Sequence, residues 1–313
     1  MKAPAKLSLF GLGLLLILVA SLGAGRLVGT FGPASAEADM NPGNGHSQGH
    51  ETSAPAAAPA GAGGLQIAQD GYRLDLASTV LSTADTAPFT FKVISPHGNP
   101  VTAYTTAHEK DLHLIVVRRD LTGFQHVHPV LGDGGVWSVP LKVGQPGQYR
   151  VFADFQPAAR DKGLVLGADA TAPGDYQPRP LPKPSRTTTV DGYTVTLDGD
   201  LVAGTSSKLT LTVSKDGQPV TDLQPYLGAF GHLVALRDGD LAYLHVHPEE
   251  SSTAGPQIVF YAEVPSAGSY GLFLDFQHQG SVRTAAFTAT THGVTPPTNT
   301  TPAPVPSASG HGH

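Results

Sequence analysis

The 313-residue chain contains no cysteine and only two methionines, Met1 and Met40. The missing cysteine excludes a disulfide framework, a thiolate zinc site, an iron–sulfur cluster, a cysteine nucleophile and a lipid-modified N-terminal cysteine. It also excludes blue copper, which needs a thiolate ligand. Charge is scarce too: Asp, Glu, Lys and Arg make up 14% of the chain, against a usual ~25%. Lys2, Lys6 and Arg26 all precede the first acid, Glu37, so the body that follows is acidic. Such a body, without clustered Lys and Arg, does not recruit nucleic-acid phosphates. There is no nucleophile elbow, Gly-rich phosphate loop or paired-carboxylate motif, so no enzyme is expected. The chain is rich in Gly (37) and Pro (27), and it carries 14 histidines. Histidine is the surplus that bears chemistry.

Behind Lys2 and Lys6 lies an uncharged stretch, residues 7–25, dominated by Leu, Gly and Ala. As a helix it reaches about 28 Å, close to the ~30 Å hydrocarbon core of a bilayer. Positive charge ahead of it keeps the N-terminus cytoplasmic and exports the rest. Residues 1–33 therefore read as a transmembrane anchor in the cell membrane, with an extracytoplasmic body. The alternative is a signal peptide cleaved at Ala34-Ser35-Ala36, which releases a secreted protein. Residues 34–64 and 293–313 are Ala, Pro, Gly, Ser, Thr and His with few large apolar side chains, and read as a disordered tether and tail.

Between these ends the chain repeats itself. Gly71-Tyr72 matches Gly192-Tyr193, and Gly98-Asn99-Pro100-Val101 matches Gly217-Gln218-Pro219-Val220. The run from His113 to Arg118 matches that from His232 to Arg237. His126-Val127-His128-Pro129 matches His245-Val246-His247-Pro248, and Asp154-Phe155-Gln156 matches Asp275-Phe276-Gln277. Segments 89–94, 187–197 and 208–213 are short, rich in Val, Thr, Leu and Phe, and bounded by turn residues every 8–12 positions, a β-sandwich pattern. The expected fold is all-β: two tandem Ig-like or cupredoxin-like sandwiches over residues 65–180 and 187–292, joined by a linker at 181–186. Residues 164–166 and 285–287 should close the two units.

The pattern His-x12-His-x-His-Pro occurs once in each unit. In the second, Asp238-Gly239 between apolar runs suggests a two-residue type I′ turn. Arg237 would then face Asp240, and His232 would face His245. His247, two residues on, points to the same side, so three imidazoles gather on one hairpin face. His113, His126 and His128 should repeat this around Arg119-Asp120. Convergent imidazoles suit copper or zinc. His108 is a candidate fourth ligand and His278 a weaker one near the second site. Asp154 and Asp275 are candidates for orienting an imidazole. His97 and His292 read as loop residues, and His46, His50, His311 and His313 lie in the tails. Trp137, Tyr149 and Tyr270 read as packing or sheet-corner residues, and Arg118 and Arg237 as solvating a turn.

The stretch PYLGAFGHLVALRDGDLAYLHVHPE, from Pro225 to Glu249, resembles the signature of membrane-anchored, exported proteins of high-GC Gram-positive bacteria. The stretch from His108 to Pro129 is similar to a wider set of exported bacterial proteins, some labelled heavy-metal or copper associated. The resemblance implies export and metal handling and names no reaction. In the wider set a Met often precedes the first histidine, where this chain has Leu112. The expected function is an extracytoplasmic metal-binding protein that buffers or sequesters Cu(II), or alternatively Zn(II), through one three-His site per unit. The alternative is a tandem Ig-like scaffold or adhesion module with structural or pH-sensitive histidines.

Overall fold

A computed structural model describes residues 62–84, 86–244 and 246–291. The expected anchor, nearly all of the tether, the tail, His245 and His292 lie outside the described residues. Among the described residues no helix is long and apolar enough to cross a membrane. Both repeats fall in one compact unit.

The first repeat contains β1 (Ala68–Gln69), β2 (Tyr72–Leu76), β3 (Ala87–Ile94), β4 (Leu112–Arg118), β5 (Gln125–Val127), β6 (Val130–Leu131), β7 (Trp137–Leu141), β8 (Gly147–Phe155) and β9 (Leu164–Ala172). The second contains β10 (Thr187–Val190), β11 (Tyr193–Asp198), β12 (Ser206–Lys215), β13 (Gln218–Pro219), β14 (Gly231–Arg237), β15 (Tyr243–Leu244), β16 (Val246–Pro248), β17 (Gln257–Glu263), β18 (Ser269–His278) and β19 (Ser281–Thr290). Each repeat is a two-sheet antiparallel sandwich. The first pairs the order β1-β2-β3-β7-β6 with β5-β4-β8-β9; the second pairs β10-β11-β12-β17-β16, carrying β13 on β12, with β15-β14-β18-β19. The all-β tandem is as expected, and β9 and β19 close the two units. Segment 187–197 divides into β10 and β11, because Asp191 and Gly192 adopt positive φ (47° and 80°) and turn the chain between Val190 and Tyr193.

Alternation along the strands builds three cores. Leu112, Leu114 and Val116 of β4 join Val151, Ala153 and Phe155 of β8 inside the first sandwich. Leu233 and Ala235 of β14 join Leu272, Leu274 and Phe276 of β18 inside the second. The intervening residues face the other way. Ile115, Val117, Leu121 and Phe152 meet Val234, Leu236, Leu241 and Phe273 in a third buried cluster, which packs the β4 sheet against the β14 sheet. The two sides supply largely equivalent residues, as in an isologous dimer interface. Phe124 and Phe273 stack across this seam at 4.0 Å between centroids, with planes 2° apart. Covered on both faces, β4 is buried along its whole length, as strands between two layers are. Gly63 and Gly64 also belong to the seam. Gly63 bridges to Tyr243, Gly64 N donates to the Val165 carbonyl, and Arg150 donates to the Gly64 carbonyl at 2.6 Å.

Tyr149 and Tyr270 each donate their hydroxyl to a carbonyl four residues back, Gln145 and Ser266, at 2.7 Å. These are tyrosine corners, a device of Ig-like sandwiches. Trp137 is buried and donates to the Tyr104 hydroxyl.

Candidate metal centre at the seam

Both hairpins close differently from the sequence expectation, and for the same reason. Arg237 Nε donates to Asp240 Oδ1 at 2.9 Å, and the same carboxylate accepts from Ala242 N. In the first repeat Arg118 Nε and Nη2 grip both oxygens of Asp120, which also accepts from Thr122 N and Oγ1. Each clasp holds the chain in a longer loop that ends on a Leu at positive φ, Leu121 (62°) or Leu241 (61°), instead of a two-residue turn. Arg118 is therefore buried and paired, with side-chain exposures of 3% for the arginine and 5% for Asp120. It does not solvate the turn. Asp120 is held down to about 2 by Arg118 and by hydroxyl and amide donors, in spite of burial.

The longer loops slide the register. Ile115, not His113, stands opposite His126, and Ala235 stands opposite Leu244. Each slide is two residues, an even number, so every side chain keeps its face. His113 and His126 consequently still share a face, and in this register the position opposite His113 is that of His128. His113 Nδ1 lies 3.2 Å from both His126 Nε2 and His128 Nε2. The three ligand nitrogens all lie within 4.8 Å of one another. The second hairpin diverges after Leu244: Val246 already pairs with Ala262 in the other sheet, and His247 opposite Tyr261 is exposed. The first crosses later, after Val127, and Val130 then pairs with Ser138.

The histidine face of β4 is also the face buried in the seam, so the second repeat completes the surroundings. Asp275 of β18, directly opposite His232 in register, accepts from His126 Nδ1 at 2.8 Å. Both side chains are nearly buried, at 5% exposure for His126 and 6% for Asp275. Thr284 Oγ1 donates to the other Asp275 oxygen at 2.5 Å. The His232 ring stands 6.5 Å from His113 and 6.4 Å from His126, and the His108 ring 5.3 Å from His232.

Tautomers follow from these partners. The Ala107 carbonyl only accepts, so His113 carries its proton on Nε2, 3.1 Å away. The Asp275 carboxylate likewise accepts from His126 Nδ1, which places a proton there. His113 Nδ1 then presents a lone pair towards His126 Nε2 and His128 Nε2. Burial first, then repulsion from His126, lowers His113 to about 3. Burial, then repulsion from His126 and His113, lowers His128 to about 3 as well. Burial lowers His232 to about 4.

The remaining candidates lie elsewhere. Asp154, opposite His113 in register, accepts from the Tyr243 hydroxyl at 3.3 Å, and burial raises it to about 6. Asp154 and Tyr243 line a cleft of about 790 Å³ between the repeats, whose walls hold none of the cluster histidines. His278 is buried between the Tyr193 hydroxyl (2.7 Å) and Asp222 (3.1 Å) at the far edge of the second sandwich core. His97 is an exposed turn residue. Sequence reasoning did not foresee that Asp275 of one repeat would serve a histidine of the other. The usable signal was the unbroken apolar run after each first histidine, Leu-Ile-Val-Val and Leu-Val-Ala-Leu, which marks a strand covered on both faces.

No curated protein matches the chain. Among solved structures it is similar to the Escherichia coli adhesin FdeC (16% identity, 72% of this chain and 65% of that one, TM-score 0.23). It is also similar to the bacterial integrin-binding protein invasin (13%, 73% and 41%, TM-score 0.22) and to a Salmonella alpha-2-macroglobulin variant (13%, 73% and 15%, TM-score 0.24). The chain thus spans less than two thirds of each of these proteins. TM-scores this low leave the function to be argued from the chain's own geometry. One family matches over two stretches, residues 67–171 and 188–293, in step with the two sandwiches: the chain belongs to the family described as "Domain of unknown function (DUF8832)".

Proposed function

We propose that this chain is an extracytoplasmic metal-binding protein that holds Cu(II), or alternatively Zn(II), at one centre in the seam between its repeats, as a buffer or sequestering agent near the membrane. The observation that carries this reading is the convergence of three imidazoles, with His113 Nδ1 3.2 Å from both His126 Nε2 and His128 Nε2. Burial lowers His113 and His128 to about 3, which keeps their rings neutral and able to ligate a metal ion. Two imidazole nitrogens that share an ion at 2.0–2.1 Å stand about 2.9 Å apart at a right angle and about 3.4 Å apart at the tetrahedral angle. The observed spacing falls between these. The backbone carbonyl of Ala107 and the carboxylate of Asp275 hold the other ring nitrogens, as partners of metal-bound histidines do.

The donor set is all nitrogen. Soft Cu(I) prefers thiolate and thioether, whereas imidazole suits Cu(II) and Zn(II), and copper binds more tightly at equal geometry. The charged, apolar N-terminus supports export of the body. Isothermal titration of the chain with Cu(II) and Zn(II) tests the proposal. Tight binding that is lost in the His126→Ala/His128→Ala variant supports it, and binding unchanged by that variant refutes it.

One observation favours the second reading, a tandem Ig-like scaffold. The seam is a continuous apolar core fixed by a Phe–Phe stack, and this would set the repeats rigidly whether or not an ion is bound. The same titration separates the two, since a scaffold with structural histidines binds no metal tightly.

A further inference from the structure

His232 is presented as His113 is. Its Nε2 donates to the Tyr226 carbonyl at 2.8 Å, six residues back, as His113 Nε2 does to Ala107. Its Nδ1 is therefore unprotonated and available, yet His232 is not one of the three convergent ligands. The His108 ring, from the first repeat, stands 5.3 Å from it between centroids. That spacing matches those inside the three-His group, where the rings stand 4.9, 5.0 and 5.4 Å apart.

The turn that carries His108 departs from its counterpart in the second repeat. His108 and Glu109 both take positive φ (50° and 60°), a conformation costly for residues with a side chain. The equivalent positions are Leu227, at φ 55° and buried, and Gly228. The second repeat thus closes its turn with an apolar plug and a permissive glycine. The first holds an exposed imidazole and a carboxylate in a strained turn, with Glu109 beside Gly228 across the seam.

We infer that His108 and His232 form a second divalent-cation position next to the three-His centre, one ligand from each repeat, so that the seam holds a pair of neighbouring Cu(II) ions. This rests on the reading above. With two protein nitrogens the outer position binds more weakly than the inner one. The His108 turn, at the exposed rim, is where an ion enters.

The test uses the full chain carrying His46→Gln, His50→Gln, His311→Gln and His313→Gln, which removes the tail histidines. Cu(II) is added in steps and followed by competition with a chelator and by electron paramagnetic resonance. Two equivalents are expected, the second at least ten-fold weaker, and on filling it the first signal broadens through coupling between the ions. His108→Leu, which installs the residue the second repeat tolerates at the same φ, should bind one equivalent with an uncoupled spectrum and inner affinity within about three-fold. A single equivalent in the parent, or two coupled equivalents in His108→Leu, overturns the second position and leaves the three-His centre standing. Absence of any bound Cu(II) in the parent overturns both.

Discussion

Asp275 is where the composite nature of the centre is most exposed to experiment, because a substitution in the second repeat should weaken a ligand of the first. Its carboxylate accepts from His126 Nδ1 at 2.8 Å and from Thr284 Oγ1 at 2.5 Å, with only 4% of the residue exposed. Asp275→Ala frees the His126 ring to rotate and to move its proton to the nitrogen that should face the ion. Removal of such a partner costs 10- to 100-fold in metal affinity, or about 1.4–2.7 kcal/mol. It also leaves the nearly buried His126 N–H unpartnered, at about 1–3 kcal/mol, while the hydroxyl of the exposed Thr284 turns to water. Asp275→Asn keeps an oxygen for His126 and an amide for Thr284 and loses only the charge, so it should fall between wild type and Asp275→Ala in affinity. Chelator competition gives the affinities, and urea unfolding of the metal-free chain gives the stabilities. If Asp275→Ala binds Cu(II) within three-fold of wild type, the coupling between the repeats is wrong.

Acid should loosen the metal-free protein. His113, His128 and His232 have folded values near 3, 3 and 4, below the 6.5 of an exposed imidazole. The unfolded chain then takes up more protons than the folded one, and their stabilising contribution is full above pH 6.5 and lost as pH falls through the folded values. Each contributes a slope of up to about 1.4 kcal/mol per pH unit in that window. Asp154, raised to about 6, acts in the opposite sense between about pH 4 and 6 and offsets part of it. The urea midpoint should therefore drop between pH 7.5 and 5, and equal midpoints would refute neutral burial of these rings. Phe273→Ala removes one partner of the seam stack and should cost about 3–5 kcal/mol, with metal affinity falling as well. Calorimetry that shows under 1 kcal/mol would mean the seam is not a packed core. Asp120→Ala leaves buried Arg118 without its carboxylate and should cost about 3–5 kcal/mol, against under 1 kcal/mol if the loop re-forms in water.

Much of this architecture was legible in the chain. The duplication located both sandwiches, and the period-2 logic of strands put His113, His126 and His128 on one face. The turn chemistry misled: Asp238-Gly239 is a strong hairpin signal, but Arg237 and Asp240 clasp each other and lengthen the loop. The face assignment survived because the register slid by two residues. The crossing of the second hairpin into the other sheet after Leu244 has no local signature, since His-Val-His-Pro is identical in both repeats. The seam was written in the unbroken apolar runs of β4 and β14, which an alternating, half-exposed strand would not need. The service of Asp275 to His126 lies between residues 149 positions apart, and it becomes visible only once two faces of the duplication are packed together.

The most direct test of the central claim is the spectrum of one equivalent of Cu(II) loaded into the full chain without its tail histidines. Bound copper with splitting from several imidazole nitrogens, lost when His126 and His128 are both replaced by Gln, is the predicted result. Copper that remains in solution, or a spectrum unchanged by those replacements, would contradict it.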